Sequence, residues 1–152
     1  MAEIKTNQIL ELENLMSFRG KVRQSELEHI GKDLEEKIRQ AGAEKVGYPI
    51  SATYAVEGEM IDVEILVPIN RRLHNIGNYV FKEKLLITNA LQAMHRGNPV
   101  GLQQTCNQLN QYIIEQKLVP ITVGYNVTRR VDMLNVENTE IDVFVGINPN
   151  IL

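Results

Sequence analysis

Ile61-Asp62-Val63-Glu64-Ile65-Leu66-Val67-Pro68-Ile69 is the stretch on which the fold turns. Apolar residues at 61, 63, 65 and 67 alternate with Asp62, Glu64 and Leu66, the period-two pattern of a strand. Its opening tripeptide returns as Ile141-Asp142-Val143, and the alternation again continues, through Val145 and Ile147. A chain that repeats its most strand-like segment calls for a search for further repeats.

Working outward, Pro49-Ile50-Ser51-Ala52-Thr53-Tyr54-Ala55-Val56 matches Pro120-Ile121-Thr122-Val123-Gly124-Tyr125-Asn126-Val127. Leu34 and Ile38 fall in line with Leu109 and Ile113, and Arg19-Gly20 with Arg96-Gly97. Ile4-Lys5 meets Phe81-Lys82, and Ile9-Leu10 meets Leu86-Ile87. The order is preserved and the spacing drifts only in connections, where insertions are tolerated. The expectation is one domain over residues 1–152, made of two repeats (4–70 and 81–148) joined by a linker, 71–80.

Each repeat reads as an extended segment ending at Arg-Gly, a helix, and two strands. Ser25 and Glu28 have the spacing of a capping box, and Leu27, Ile30, Leu34 and Ile38 then recur at helical intervals up to a stop at Gly42. In the second repeat Asn98 suits an N-cap, Pro99 the first turn, and Leu102, Cys106, Leu109 and Ile113 the apolar stripe. The strands carry Ala52, Tyr54 and Val56, then Val123, Tyr125 and Val127, with turns at Glu57-Gly58-Glu59 and, longer, over about residues 128–139. One such unit is marginal alone, whereas two can share a sheet. The fold class expected is α+β: a duplicated β-α-β-β unit, an antiparallel sheet with two main helices on one face, and a pseudo-twofold cleft.

Composition narrows the function classes. The 152 residues are 43% hydrophobic and 23% charged, enough for a core and unlike a disordered chain. The single Cys106 excludes an internal disulfide framework and fits a reducing compartment. His29, His74 and His95 have no metal-ligand spacing, so neither a metal nor a cofactor is expected. A net charge of −3 without a long basic tract argues against direct nucleic-acid binding. The polar N-terminus has no signal-peptide pattern, and no run of ~18 apolar residues is present, so a cytoplasmic protein without membrane association is expected.

The duplicated unit, the Arg-Gly before each helix and the strand 61–69 resemble the gyrase-inhibitory-protein-like superfamily, over about residues 4–148. That superfamily includes effector-binding domains of multidrug-responsive transcription activators and the SOUL haem-binding proteins. Met94-His95-Arg96-Gly97-Asn98-Pro99 is similar to its R-H-x-G-P-Y segment, with Val100 where an aromatic is usual. A second resemblance is to stand-alone proteins of Gram-positive bacteria, some similar to accessory proteins of type VII secretion toxins. The superfamily implies a cleft between the halves for cationic, amphipathic ligands, held by aromatic faces and a buried carboxylate.

Glu64 is the carboxylate candidate; otherwise it is a solvent-facing glutamate on a two-faced strand. Phe144 occupies its place in the second repeat, an aromatic on the nominally polar face, lining a cleft or partner surface or packing peripherally. Tyr54 and Tyr125 read as repeat-equivalent, on the strand parity opposite Glu64, either as core residues or as a pair facing across the pseudo-twofold axis. His95, the last ligand-binding candidate, reads equally as structural. Cys106 reads as a small core residue rather than a nucleophile, and Arg71-Arg72 and Arg129-Arg130 as solvated surface.

Three functions remain. The first is a non-enzymatic binding domain for a small amphipathic or cationic ligand, a stand-alone regulator without a DNA-binding module. The second is a protein–protein adaptor or chaperone, docking through the acids of the first helix or the neutral face bearing Gln103, Gln104, Gln108, Gln111 and Gln116. The third is a small hydrolase pairing Glu64 with a tyrosine, which requires both groups within reach of one substrate. The partner is therefore a small-molecule ligand or a protein. The identity of that partner and the oligomeric state are not encoded in any motif.

Overall fold

The computed structural model describes residues 2–150. Its elements are β1 (Glu3–Arg23), α1 (Leu27–Gln40), β2 (Ile50–Glu57), β3 (Met60–Pro68), β4 (Val80–Arg96), α2 (Leu102–Glu115), β5 (Tyr125–Arg130) and β6 (Glu140–Gly146). This is the expected α+β pattern of β-α-β-β twice. The chain divides into two compact units, one spanning Glu11–Leu86 and the other joining the first ten residues to Ile87 onward. The stretch 71–86 thus belongs with the first helix. Among the described residues no helix is long and apolar enough to cross a membrane.

In the Glu11–Leu86 unit, β3 lies between β1 and β2, antiparallel to both. Ile61, Val63, Ile65 and Val67 form one face of β3 and pack with Leu34 and Ile38 of α1, while Leu27 and Ile30 complete the stripe. A buried leucine or isoleucine side chain contributes about 1.5–3 kcal/mol, so this stripe fixes the helix on the sheet. The face away from α1 is also buried at Glu64 and Leu66. In the other unit β6 lies between β4 and β5. There Val143, Val145 and Ile147 pack against Leu109 and Ile113 of α2, with Leu102 and Cys106 at the margin.

Three local expectations fail. Ser25 lies inside a 3-10 turn, Gln24–Glu26, and neither that turn nor α1 has a side-chain cap, so the capping box does not form. Asn98 does cap its turn, accepting from the Val100 amide, with Pro99 following. The Arg-Gly alignment is also out of register. Gly20 faces Val63, whose counterpart Val143 faces Ala93, so Gly20 corresponds to Ala93 rather than Gly97. Gly20 sits within β1, where a Cβ would come 2.9 Å from the Phe18 ring, whereas Gly97 follows β4 at φ +127°. The third concerns Tyr54 and Tyr125. Tyr125 faces Phe144, and its counterpart on β2 is Ala52, which faces Glu64. Tyr54 falls instead at a bulge between Thr53 and Ala55.

Both helices end alike. The amides of Gly42 and Ala43 donate to the Arg39 and Ile38 carbonyls, and those of Lys117 and Leu118 to the Ile114 and Ile113 carbonyls. These are Schellman motifs, which place the residue after the C-cap in the left-handed region. Gly42 takes φ +85° freely, while Lys117 takes φ +54° against its own Cβ. Lys117→Gly is therefore expected to stabilise the protein by about 0.5–1 kcal/mol, and Gly42→Lys to destabilise it by a similar amount. Urea denaturation of the two variants measures both, and a Lys117→Gly variant no more stable than the parent contradicts the assignment.

Candidate functional site

Glu64 is central to β3 and its side chain is only 4% exposed. A carboxylate so placed requires a partner, since an isolated buried charge is costly. Lys82, near the start of β4, supplies it: Nζ lies 2.5 Å from Oε2. The Lys82 side chain remains 40% exposed, so the ammonium reaches inward from a wet stem. The other carboxylate oxygen, Oε1, is 3.5 Å from the Tyr54 hydroxyl, a long contact.

Ala52 faces Glu64 directly, so alternation along β2 puts Tyr54, two residues on, on the Glu64 side as well; the bulge there then brings Ala55 opposite Asp62. The expectation that Tyr54 packs in the core is accordingly replaced by a ring at the edge, about one-third exposed. Arg19, directly across from Glu64 on β1, leans along the strand instead of pairing with it. Its Nε and Nη2 bind the two Asp62 carboxylate oxygens at 3.0 and 3.2 Å. Its guanidinium lies 3.4 Å from the Tyr54 ring centre, a cation–π contact. The Arg19 hydrogen bonds hold the Asp62 carboxyl below the ordinary carboxylate range, and Asp62 raises Arg19 in turn. The unit thus gathers Arg19, Tyr54, Asp62, Glu64 and Lys82.

The other unit uses the same positions differently. Phe144 stands where Glu64 would be and is buried, as is its cross-strand neighbour Tyr125. Tyr125 thus lies on the Phe144 face, not on the helix-facing side where the apolar pattern puts it. Asp142, the counterpart of Asp62, has a side chain 4% exposed between two guanidinium groups, Arg96 Nη1 at 3.0 Å and Arg129 Nε at 2.9 Å. Arg129 falls at a second bulge, between Thr128 and Arg130, and stacks 5.8 Å from the Phe144 ring. The reading of Arg129 as free surface gives way to an anchored charge. His95 is buried with both ring nitrogens engaged: Nδ1 lies 2.8 Å from the Thr105 hydroxyl, and Nε2 lies 2.9 Å from the Asn98 carbonyl. The carbonyl only accepts, so Nε2 carries a hydrogen, and the imidazole ties the end of β4 to α2.

The remaining candidates are accounted for locally. Acids of α1 pair along the helix, Glu28 with Lys32, Asp33 with Lys37 and Glu36 with Arg39, and Glu35 pairs with Lys45. On α2, Gln103 donates to Asn107 and Gln111 to Glu115. Burial pushes the Cys106 thiol up, away from nucleophilic use. In the segment before β4 the Tyr79 hydroxyl donates to Asp33, and burial, then that contact, push it up to about 12.

Sequence reading missed Lys82, Arg19, Arg96 and Asp142. The repeated Ile-Asp-Val held a signal, because an acid retained at the same point of both repeats sits where a neighbouring strand can offer arginine. Lys82 carries no such mark, being one lysine in a Lys-Glu-Lys run.

No protein-family description and no curated protein matches the sequence. Solved structures do share the fold. The crystal structure of the EcmrR C-terminal domain is similar at a TM-score of 0.75 and 13% identity, over 97% of this chain and 98% of that one. EcmrR in the cryo-EM structure of its DNA complex gives 0.76 and 16%, over 95% of this chain but 57% of that one, so the chain spans little more than half of it. SAV2435 bound to tetraphenylphosphonium gives 0.56 and 9%, over 98% and 94%. A hydrolase from Listeria innocua gives 0.53 and 11%, over 97% and 91%. At such identities the likeness is one of fold.

The Glu64–Lys82 pair makes an energetic prediction. Lys82→Gln strands a buried carboxylate, whereas Glu64→Gln leaves a half-exposed ammonium that water can solvate. A double-mutant cycle is expected to show a coupling of about 1–2 kcal/mol, with Lys82→Gln the worse single variant. Chemical denaturation of the four proteins checks this, and additive effects contradict it.

Proposed function

We propose that the chain is a non-enzymatic effector-binding domain whose ligand is a small amphipathic cation. The observation that carries the reading is Glu64, a carboxylate buried on β3 beside the Tyr54 ring. A carboxylate withdrawn from water attracts a cation far more strongly than one on the surface, and an aromatic face adds to that attraction. The two units are unequal in this respect. Phe144 replaces the carboxylate in the second, and Asp142 there is saturated by two arginines. One cation site per chain follows, in the Glu11–Leu86 unit. The shared fold with SAV2435, which was solved with tetraphenylphosphonium, and with the EcmrR C-terminal domain supports the reading.

A second reading has its own observation. The pairing of Ala52 with Glu64 puts Tyr54 on the Glu64 side of the sheet, its hydroxyl 3.5 Å from the carboxylate, which removes the parity objection to an acid–base pair in a hydrolase. One fold neighbour is a hydrolase.

Thermal unfolding with tetraphenylphosphonium separates the two. At about 100 times Kd a ligand adds about 2.7 kcal/mol, a rise in Tm of several degrees for a chain of this length. That rise is expected in the parent and in Tyr54→Phe, which keeps the ring, and is expected to vanish in Glu64→Gln. A parent protein and a Lys82→Gln variant both unmoved by the ligand contradict the binding reading. Turnover of a p-nitrophenyl ester that is lost in both Tyr54→Phe and Glu64→Gln establishes the hydrolase instead.

A further inference from the structure

Each element that would recognise a cation is already covered by a cation of the chain itself. Lys82 Nζ sits on the Glu64 carboxylate, and the Arg19 guanidinium sits on the Tyr54 ring. We propose that Lys82 and Arg19 are internal stand-ins for the ligand, and that binding proceeds by displacing them. This rests on the reading of Glu64 and Tyr54 as a cation site, and it adds how the site is guarded and which cations can open it.

Charge balance carries the argument. Arg19 and Lys82 offset Asp62 and Glu64, so the constellation is neutral as it stands. An incoming cation would leave one positive charge in excess at a buried carboxylate, a costly arrangement unless one internal cation departs. Both stand-ins are free to do so. Their side chains are 40% and 46% exposed, against 4% for Glu64. Each also has somewhere to go. Arg19 keeps its two-pronged grip on Asp62 if it slides off the ring. The Lys82 stem lines a surface cleft with Glu13, Asn14, Glu83 and Lys84, where water can receive the ammonium beside the Glu13–Lys84 ion pair. In the other unit the buried Asp142 is held by two guanidinium groups at once, so loss of one leaves the carboxylate still paired and frees no site for a cation.

Displacement sets the ligand class. A compact hydrated ion exchanges one ammonium for another and gains nothing. A cation with aromatic surface also packs apolar groups on the Tyr54 ring, which Lys82 cannot do. The site therefore selects lipophilic cations over simple ones. Because only the fraction of molecules with the stand-ins displaced can bind, the apparent affinity of the parent is lowered by that fraction.

Isothermal titration with tetraphenylphosphonium, using tetramethylammonium as the compact control, tests this on the full chain. Lys82→Gln is expected to bind tetraphenylphosphonium about tenfold more tightly than the parent, and Glu64→Gln/Lys82→Gln to lose that gain. Arg19→Gln, which leaves Asp62 solvated and does not strand a buried charge, is expected to tighten binding severalfold and serves if Lys82→Gln fails to fold. Binding seen only in the variants also supports the proposal. Parent and variants binding equally, or the variants binding more weakly, overturns the stand-in role and leaves the binding function intact. Absence of binding in every protein overturns both.

Discussion

A carboxylate that a strand carries out of water obliges its neighbours to answer it, and Glu64 does this on β3. Lys82 arrives from β4 and neutralises it, which ties the start of that strand to the middle of the unit. Tyr54 stands on the same side of β2, two residues beyond Ala52, which faces Glu64 directly. Arg19, its direct cross-strand partner, is drawn aside to Asp62 and closes over the Tyr54 ring. Three strands and the start of β4 thus converge on one buried charge, the charge on which the proposed cation site rests.

The duplication shows how the device could diverge without loss of the fold. Both units keep the aspartate of Ile-Asp-Val and give it arginine, yet from different strands: β1 supplies Arg19 in one, while β4 and β5 supply Arg96 and Arg129 in the other. Both place an arginine against an aromatic ring. Only the position of Glu64 and Phe144 changes character. A carboxylate there makes an ion pair with a half-exposed lysine, and a phenylalanine makes a buried apolar contact. On the proposed reading this one difference between equivalent positions confines the cation site to one unit.

Much of this was legible in the sequence. The stripes Leu27, Ile30, Leu34, Ile38 and Leu102, Cys106, Leu109, Ile113 set both helices against their sheets, because helical period is local and robust to insertions. The repeated Ile-Asp-Val located β3 and β6. What failed has common physical causes. Alternation shows which residues share a face but not which face meets the helix: Ala52 pairs with Glu64 and Tyr125 with Phe144, so Tyr54 and Tyr125 lie on the sides of their strands away from the stripes that meet α1 and α2. Motif matching aligned Gly20 with Gly97, although pairing register equates Gly20 with Ala93; short dipeptides carry less information than the ladder they sit in. Lys82 was invisible because its role comes from a pairing across strands far apart in sequence, which no local pattern records.

The central claim is that the Lys82–Glu64 ion pair is the element that a bound cation replaces. Side-chain nitrogen NMR of protein labelled with 15N at lysine observes Lys82 directly, with Lys82→Gln assigning the signal. In the free protein the ion pair with the buried Glu64 is expected to slow hydrogen exchange at that ammonium and set it apart from the surface lysines. On saturation with tetraphenylphosphonium the account predicts that this signal moves to the position and fast exchange of a solvated lysine. A signal that stays unchanged while the ligand is demonstrably bound would contradict it.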